Sequence, residues 1–329
     1  MIITQTPLRI SLLGGGTDFR DFYKKEDGLV VSAAIDKYIF IIVKERYDDL
    51  IYVNYSKKEI KENVLALEHE LVRECLVKTG IDKGIEISIL ADIPSEGSGL
   101  GSSSSVTVGL LNAFYTYKGE QVTAERLAAE ACDIEINKCG QPIGKQDQYV
   151  AAYGGLCSYR FKGTGNVEVK KLETGNSHSR LLGSNLLLFF TGITRQASSI
   201  LSEQKNNISI KMEELHQIKI LAEKGCEAIN NYNFDEVGYL MHQNWQLKKS
   251  LSSNIANPEI DDMYNEAMNA GALGGKIAGA GGGGFLMVYC RREEQNNVRE
   301  ALNKYKEMPF LLERDGSKAI FNYRRYSWK

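Results

Sequence analysis

Residues 94–106 read PSEGSGLGSSSSV, a run able to cradle an anion. Gly97, Gly99 and Gly101 lack a Cβ, so main-chain N–H groups there can approach a ligand closely. Ser102, Ser103, Ser104 and Ser105 follow with hydroxyls and open a helix. The unbonded amides and positive dipole end of a helix start favour a negative group by about 0.3 to 2 kcal/mol. That is too little to hold a nucleotide, so hydroxyls and a metal ion should help. A flexible linker has similar composition, but the position between a strand and a helix favours the cradle.

Two more glycine clusters carry chemistry. In TPLRISLLGGGTDF, Arg9 sits in the opening strand and Gly14, Gly15 and Gly16 free the backbone to turn. Thr17 and Asp18 then offer a hydroxyl and a carboxylate suited to sugar hydroxyls; an ordinary turn aspartate is the competing reading. Eight of the 14 residues from Gly271 to Gly284 are glycine. Lying between a helix and a hydrophobic strand, they read as a tight turn packed on another loop or a ligand, with a mobile loop as the alternative. Walker A is absent, since Gly275-Lys276 has no glycine five residues earlier and is followed by Ile277. The dinucleotide-binding spacing at Gly279, Gly281 and Gly284 precedes a strand instead of following one, so that match is accidental.

The elements that must position these turns can be read coarsely. Residues 29–46 and 51–55 are rich in Val and Ile and predict strands. A helical stripe covers 63–79, and Ile85 to Ile93 alternate as a strand that Pro94 ends. A helix follows the glycine-serine knot up to Gly119, and a second runs from an N-cap at Thr123 to about Lys138. The stretch QPIGKQDQY reads as a loop. Residues 156–172 predict strand with a hairpin turn at KGTGN, and a boundary near Gly183 divides the chain into 1–183 and 184–329. Beyond it come the strand NLLLFF, helices over 198–231 (broken once), 235–250 and 258–271, the strand FLMVYC, a helix near 293–306 and a terminal strand AIFNYRRY.

Composition narrows the class. The 329 residues are 43% hydrophobic and 25% charged, enough to bury large cores. With 40 basic against 42 acidic residues there is no field to wrap a nucleic acid. No stretch is apolar enough to span a membrane, and MIITQTPLRI lacks the form of a secretory signal, so a cytoplasmic protein is expected. Six cysteines without CxxC spacing and four histidines without HxxxH spacing argue against structural zinc and for reduced thiols.

Taken together, PLRISLLGGGTD, PSEGSGLGSSSS and GGKIAGAGGGGF resemble the three motifs of the GHMP kinases, in family order and at family spacing, over almost the whole chain. The resemblance implies an α/β (α+β) two-domain GHMP kinase fold, with an N-terminal domain similar to ribosomal protein S5 domain 2 and a ferredoxin-like C-terminal domain. It also implies ATP bound between the motifs. The GGGTD form of the first motif, with GQPIGKQDQYVAAYGG and FFTGITRQAS, is similar to the sugar 1-kinases of the family. The implied acceptor is the anomeric hydroxyl of a heptose 7-phosphate, in the making of nucleotide-activated heptose for a surface glycan. An unphosphorylated sugar such as fucose, or a sensor that binds sugar and ATP without catalysis, is the alternative. No nucleic acid or membrane partner is implied, and a homodimer is compatible with the reading.

Roles carried over from the resemblance are as follows. Asp147 matches the catalytic aspartate that accepts the acceptor's proton, and Arg9 the basic residue beside it, although a nearby cation lowers a carboxylate's basicity. Pro94, Gly97, Gly99, Leu100, Gly101, Ser102, Ser103 and Ser104 would hold the nucleotide. Glu135, with Ser102 or Ser103, would hold Mg2+; a solvated helix glutamate is the competing view. Gly16, Thr17, Asp18, Lys145, Gln146, Gly281 and Gly282 would line the acceptor site. Arg195 is the first candidate for a distal phosphate, because guanidinium pairs with phosphate through two hydrogen bonds. Lys276 is the second, against the plainer reading of a solvated lysine.

Overall fold

The computed structural model describes residues 1–93, 97–172, 175–194 and 197–323; Pro94 and Arg195 lie outside the described residues. Two sheets are present among the described residues. The first has eight strands and begins with β1 (Ile2–Leu13), whose residues are all buried from Thr6 onward. A short helix, α1 (Arg20–Tyr23), leads to β2 (Gly28–Glu45), a long strand that runs antiparallel to β1. Strands β3 (Ile51–Asn54) and β4 (Lys58–Lys61) form a hairpin at the sheet's edge.

The stripe expected over 63–79 divides. Val64–Ala66 is a single 3-10 turn, and helix α2 begins only at Glu70 and ends at Thr79, with the His69 ring accepting from Val72 N–H at 3.4 Å. Asn63 and His69 each offer the backbone a local side-chain bond, and such caps restart a helix. Strand β5 (Ile85–Ala91) pairs with the second half of β2 and, in parallel, with β3.

Helix α3 (Ser102–Lys118) follows the glycine-serine turn, as its spacing predicts. Helix α4 (Ala124–Cys132) starts where Thr123 Oγ accepts from Arg126 N–H, and runs into a π-helical turn over Asp133–Lys138. The stretch read as loop to Tyr149 instead forms α5 (Gln146–Tyr153), so Asp147 stands in the first turn of a helix. Strands β6 (Leu156–Phe161) and β7 (Val167–Lys171) make a hairpin, and β6 pairs with the first half of β2.

Helix α6 (Asn176–Ser184) precedes the second sheet, which is antiparallel and four-stranded. Its strands are β8 (Leu186–Phe190), β9 (Gly274–Ile277), β10 (Phe285–Tyr289) and β11 (Lys306–Glu307), in the order β11-β8-β10-β9. Helices α7 (Ala197–Asn207), α8 (Met212–Asn230), α9 (Phe234–Lys249) and α10 (Pro258–Asn269) lie between β8 and β9, and α11 (Gln295–Ala301) between β10 and β11. The chain then returns: β12 (Lys318–Asn322) pairs with β1 at the edge of the first sheet.

Part of the third glycine cluster is therefore strand, because Gly274 to Ile277 pair with β10. Glycine suits β9 because α9 passes close by: a Cβ on Gly274 would lie 1.9 Å from Gly238 O. Strand β1 is contacted by α3, α5, α8 and α9, so helices from both halves of the chain pack on the strand that carries Arg9.

Candidate active site

The two glycine turns cross backbone to backbone. A Cβ on Gly99 would lie 2.5 Å from Ala278 O, and one on Gly279 would lie 2.6 Å from Gly99 O. No side chain fits either position, which is why the sequence is glycine at both. The third cluster thus backs the glycine-serine turn, and between them opens a cleft of about 240 Å³ lined by Gly97, Gly99, Gly101, Ser102, Ser103 and Ser104 on one side. Leu100 is fully buried, and its carbonyl accepts from Arg9 N–H at 3.0 Å, which ties the turn to β1.

Arg9 and Asp147 meet in this cleft. Arg9 Nε donates to Asp147 Oδ1 at 2.8 Å and Arg9 Nη2 to Oδ2 at 2.6 Å, while Nη1 donates to Gly99 O at 2.5 Å. The Arg9 side chain is 6% exposed and the Asp147 side chain 28%, so the cation is sealed in and the anion faces the cleft. Oδ1 also accepts from Gln146 Nε2 at 3.0 Å. Oδ2 has one partner among the described residues and therefore a lone pair to spare; it lies 3.4 Å from where a Cβ on Gly101 would be.

Asp18 lines the same cleft, its oxygens accepting from Gly16 N–H and Gln146 N–H at 3.1 Å each. Burial, then the charge of Asp147, push its carboxyl above the usual range. Gln146 is itself held by Ser11 Oγ at 2.9 Å. Gly16 borders the cleft and abuts Gln204 of α7. Thr17 is fully buried: its hydroxyl donates toward Gly14 O and Leu29 O and accepts from Leu29 N–H, so it staples the turn and offers nothing to a ligand. Lys145 also turns away, its ammonium donating to Gly165 O at 2.6 Å.

Glu135, in the π-helical turn, is fully buried and not solvated as a surface glutamate would be. Its carboxylate accepts from Ser103 Oγ at 2.6 Å, Ser104 Oγ at 2.8 Å and Gln148 Nε2 at 2.5 Å. Burial raises its pKa while these donors lower it, the net direction being up. Of the two serines expected beside it, Ser103 is there; the Ser102 hydroxyl lies instead 3.3 Å from Ser98 Oγ. Ser104 takes the second place.

Gly281 and Gly282 pack on Ile255, Gly282 N–H donating to Ile255 O at 2.8 Å, while Gly279 and Ala280 line the cleft. Lys276 is not a solvated lysine: it is fully buried in β9. Sequence reasoning missed Lys248, in the last turn of α9, which is 4% exposed and lines the cleft. Its ammonium donates to Gly279 O. Burial, with the charge of Arg9, pulls its pKa down to about 8 against the pull of Asp18 and Asp147. Two adjacent lysines at a helix end, Lys248 and Lys249, give no sequence signal of which is buried; only the packing of α9 against the third glycine turn decides it.

The model of the GHMP kinases N terminal domain matches residues 65–155, and that of the GHMP kinases C terminal matches residues 227–307. The D-glycero-alpha-D-manno-heptose 7-phosphate kinase of Campylobacter jejuni subsp. jejuni is 33% identical over 317 residues, covering 92% of this chain and 93% of that protein. The chain belongs to the GHMP kinases. As a member it is an ATP-dependent kinase. A crystal structure described as a D-glycero-D-manno-heptose 1-phosphate kinase from Bacteroides thetaiotaomicron superposes on this GHMP kinase with a TM-score of 0.83 at 26% identity, covering 98% of this chain and 100% of that one. The bifunctional fucokinase/GDP-fucose pyrophosphorylase of Arabidopsis thaliana is 26% identical over 92% of this chain, which spans 31% of that longer protein. Among the described residues no helix is long and apolar enough to cross a membrane.

Proposed function

We propose that the protein transfers the γ-phosphoryl group of ATP to the anomeric hydroxyl of D-glycero-D-manno-heptose 7-phosphate. The observation that carries the chemistry is the Arg9–Asp147 pair, set beside Gly99 and Gly101 of the anion-holding turn. The acceptor is inferred from the relative at 33% identity.

Phosphoryl transfer needs position and charge neutralisation more than covalent chemistry. Asp147 Oδ2, with its spare lone pair, takes the proton of the acceptor hydroxyl. The freed oxygen forms a bond to the γ-phosphorus as the bond to the bridging β,γ oxygen breaks, and ADP leaves with that electron pair. Arg9 holds Asp147 in place and fixes it to the turn through Gly99 O. Asp18 and Gln146 orient the sugar, and Gly97 to Ser104 receive the phosphates through helix-start amides.

Mg2+ fits the residues present. It takes oxygen ligands, few of them from protein, and Glu135 with Ser103 and Ser104 supplies a carboxylate and two hydroxyls at the start of α3. When bound there it would neutralise phosphate charge. Among the described residues no group of three or more His, Cys, Asp or Glu forms a cage, which agrees with an ion that relies on phosphates and water.

For the acceptor's distal phosphate, Arg195 is proposed on its chemistry alone. The test is ADP formation with heptose 7-phosphate, unphosphorylated heptose and fucose, with NMR of the product to locate the new ester. The reading expects the 7-phosphate to be preferred and the ester at the anomeric oxygen. Equal rates on the phosphorylated and unphosphorylated sugars would overturn the acceptor assignment and favour the fucose-type reading.

A further inference from the structure

Two lysines are buried against the cleft with no carboxylate bonded to either among the described residues. Lys248 has one acceptor there, Gly279 O, so two of its three N–H groups remain unspent. Lys276 Nζ is buried with no hydrogen-bond partner among the described residues. The amine lies under the cleft-lining glycine turn: a Cβ on Gly15 would sit 3.8 Å from Lys276 Nζ.

The groups facing the pair come from several elements. Arg9 of β1 adds positive charge and is committed to Asp147 and Gly99 O. Asp18 accepts from two backbone amides, and Asp147 of α5 is held by Arg9. Three basic side chains therefore meet two carboxylates at one end of the cleft. A buried ammonium with spare donors is costly unless an anion completes it.

We propose that Lys248, backed by Lys276, is a site for a phosphoryl oxygen beside the Arg9–Asp147 pair. The oxygen belongs either to the transferring group of the nucleotide or to the acceptor's own phosphate, and the site rests on the kinase reading above for both sources. Geometry places it at the reacting end: Lys248 holds Gly279, Gly279 packs on Gly99, and Gly99 O accepts from Arg9. Asn244, one turn earlier on α9, accepts from Gly14 N–H at 3.0 Å, so one helix face holds both the first and third glycine turns.

Burial, then the charges of Lys248 and Arg9, hold the Lys276 amine well below its usual range, and Lys248 itself is pulled down to about 8. An incoming phosphate raises the proton affinity of both, and binding near pH 8 takes up protons.

The experiment is titration calorimetry of wild type, Lys248→Met and Lys248→Arg with a non-hydrolysable ATP analogue, heptose 7-phosphate and unphosphorylated heptose, each in two buffers of different ionisation enthalpy. Lys248→Met is expected to weaken one phosphate-bearing ligand by roughly 10- to 100-fold, the scale of a hydrogen bond to a charged group. Loss for the analogue assigns the nucleotide; loss for the 7-phosphate but not the bare sugar assigns the acceptor. Wild type should take up protons on binding that ligand, and Lys248→Arg should take up fewer while keeping part of the affinity. Unchanged affinity for all three ligands, or loss with proton uptake the same in Lys248→Arg as in wild type, overturns the proposal. If heptose 7-phosphate is not a substrate, the acceptor reading fails while the analogue still tests the lysine.

Discussion

Arg9 and Asp147, 138 residues apart in the chain, are joined by two side-by-side hydrogen bonds of 2.8 and 2.6 Å. The pair links the strand that starts the first sheet to the helix that carries the proposed base. Because Arg9 also reaches Gly99 O, the proposed base and the glycine-serine turn cannot shift independently.

Asp147→Asn should lower kcat by about 10² to 10⁴, the usual scale for losing a proton acceptor, with nucleotide binding nearly intact. Single-turnover kinetics and analogue titration measure the two separately. A wild-type rate would remove Asp147 as the base.

Gly99→Ala and Gly279→Ala should each destabilise the protein by about 2 kcal/mol or more, since each Cβ meets backbone within 2.6 Å. The two positions share one crossing, so the double variant should cost less than the sum. Urea unfolding of the four proteins measures this, and strict additivity would show that the turns do not brace each other.

Glu135→Gln should raise the Mg2+ midpoint of the rate by about tenfold, the effect of weakening one charge-assisted contact. A magnesium titration at fixed ATP checks it. An unchanged midpoint would remove Glu135 as a ligand.

The depressed pKa of Lys248 predicts how stability varies with pH in the ligand-free protein. Its folded value is about 8 against a usual 10.5, so between these the unfolded chain binds a proton that the native protein lacks. Stability from this group therefore rises with pH across that window, and the cost below it is on the order of a few kcal/mol. Lys248→Met removes the cost, so its stability relative to wild type should be greatest near pH 7 and fall toward about pH 10, as read by denaturant melts. A difference independent of pH would contradict the burial of a charged lysine.

The three glycine clusters were legible because each needs residues without a Cβ in a short span, a demand that composition displays. Helix α5 was not, since Gln146, Gln148, Tyr149, Val150, Ala151 and Ala152 are all buried and no polar stripe marks one face. Strand β9 was hidden by Gly274 and Gly275, which have little strand preference and are placed by pairing with β10 and the closeness of α9. Thr17 carried the right chemistry for a sugar contact but spends it inside the turn. Lys276 stood out beside the third glycine cluster, but its burial did not, and Lys248 is a functional candidate only because tertiary packing buries it, which a single chain of letters does not express.

The last described strand, β12, is laid along β1, with Tyr323 N–H donating to Met1 O at 2.9 Å. A ribosome making this chain finishes the strand bearing Arg9 long before it makes that strand's edge partner. Until then that edge stays open to strangers, so a chain stalled before Lys318 would be the form most prone to sticking to other strands.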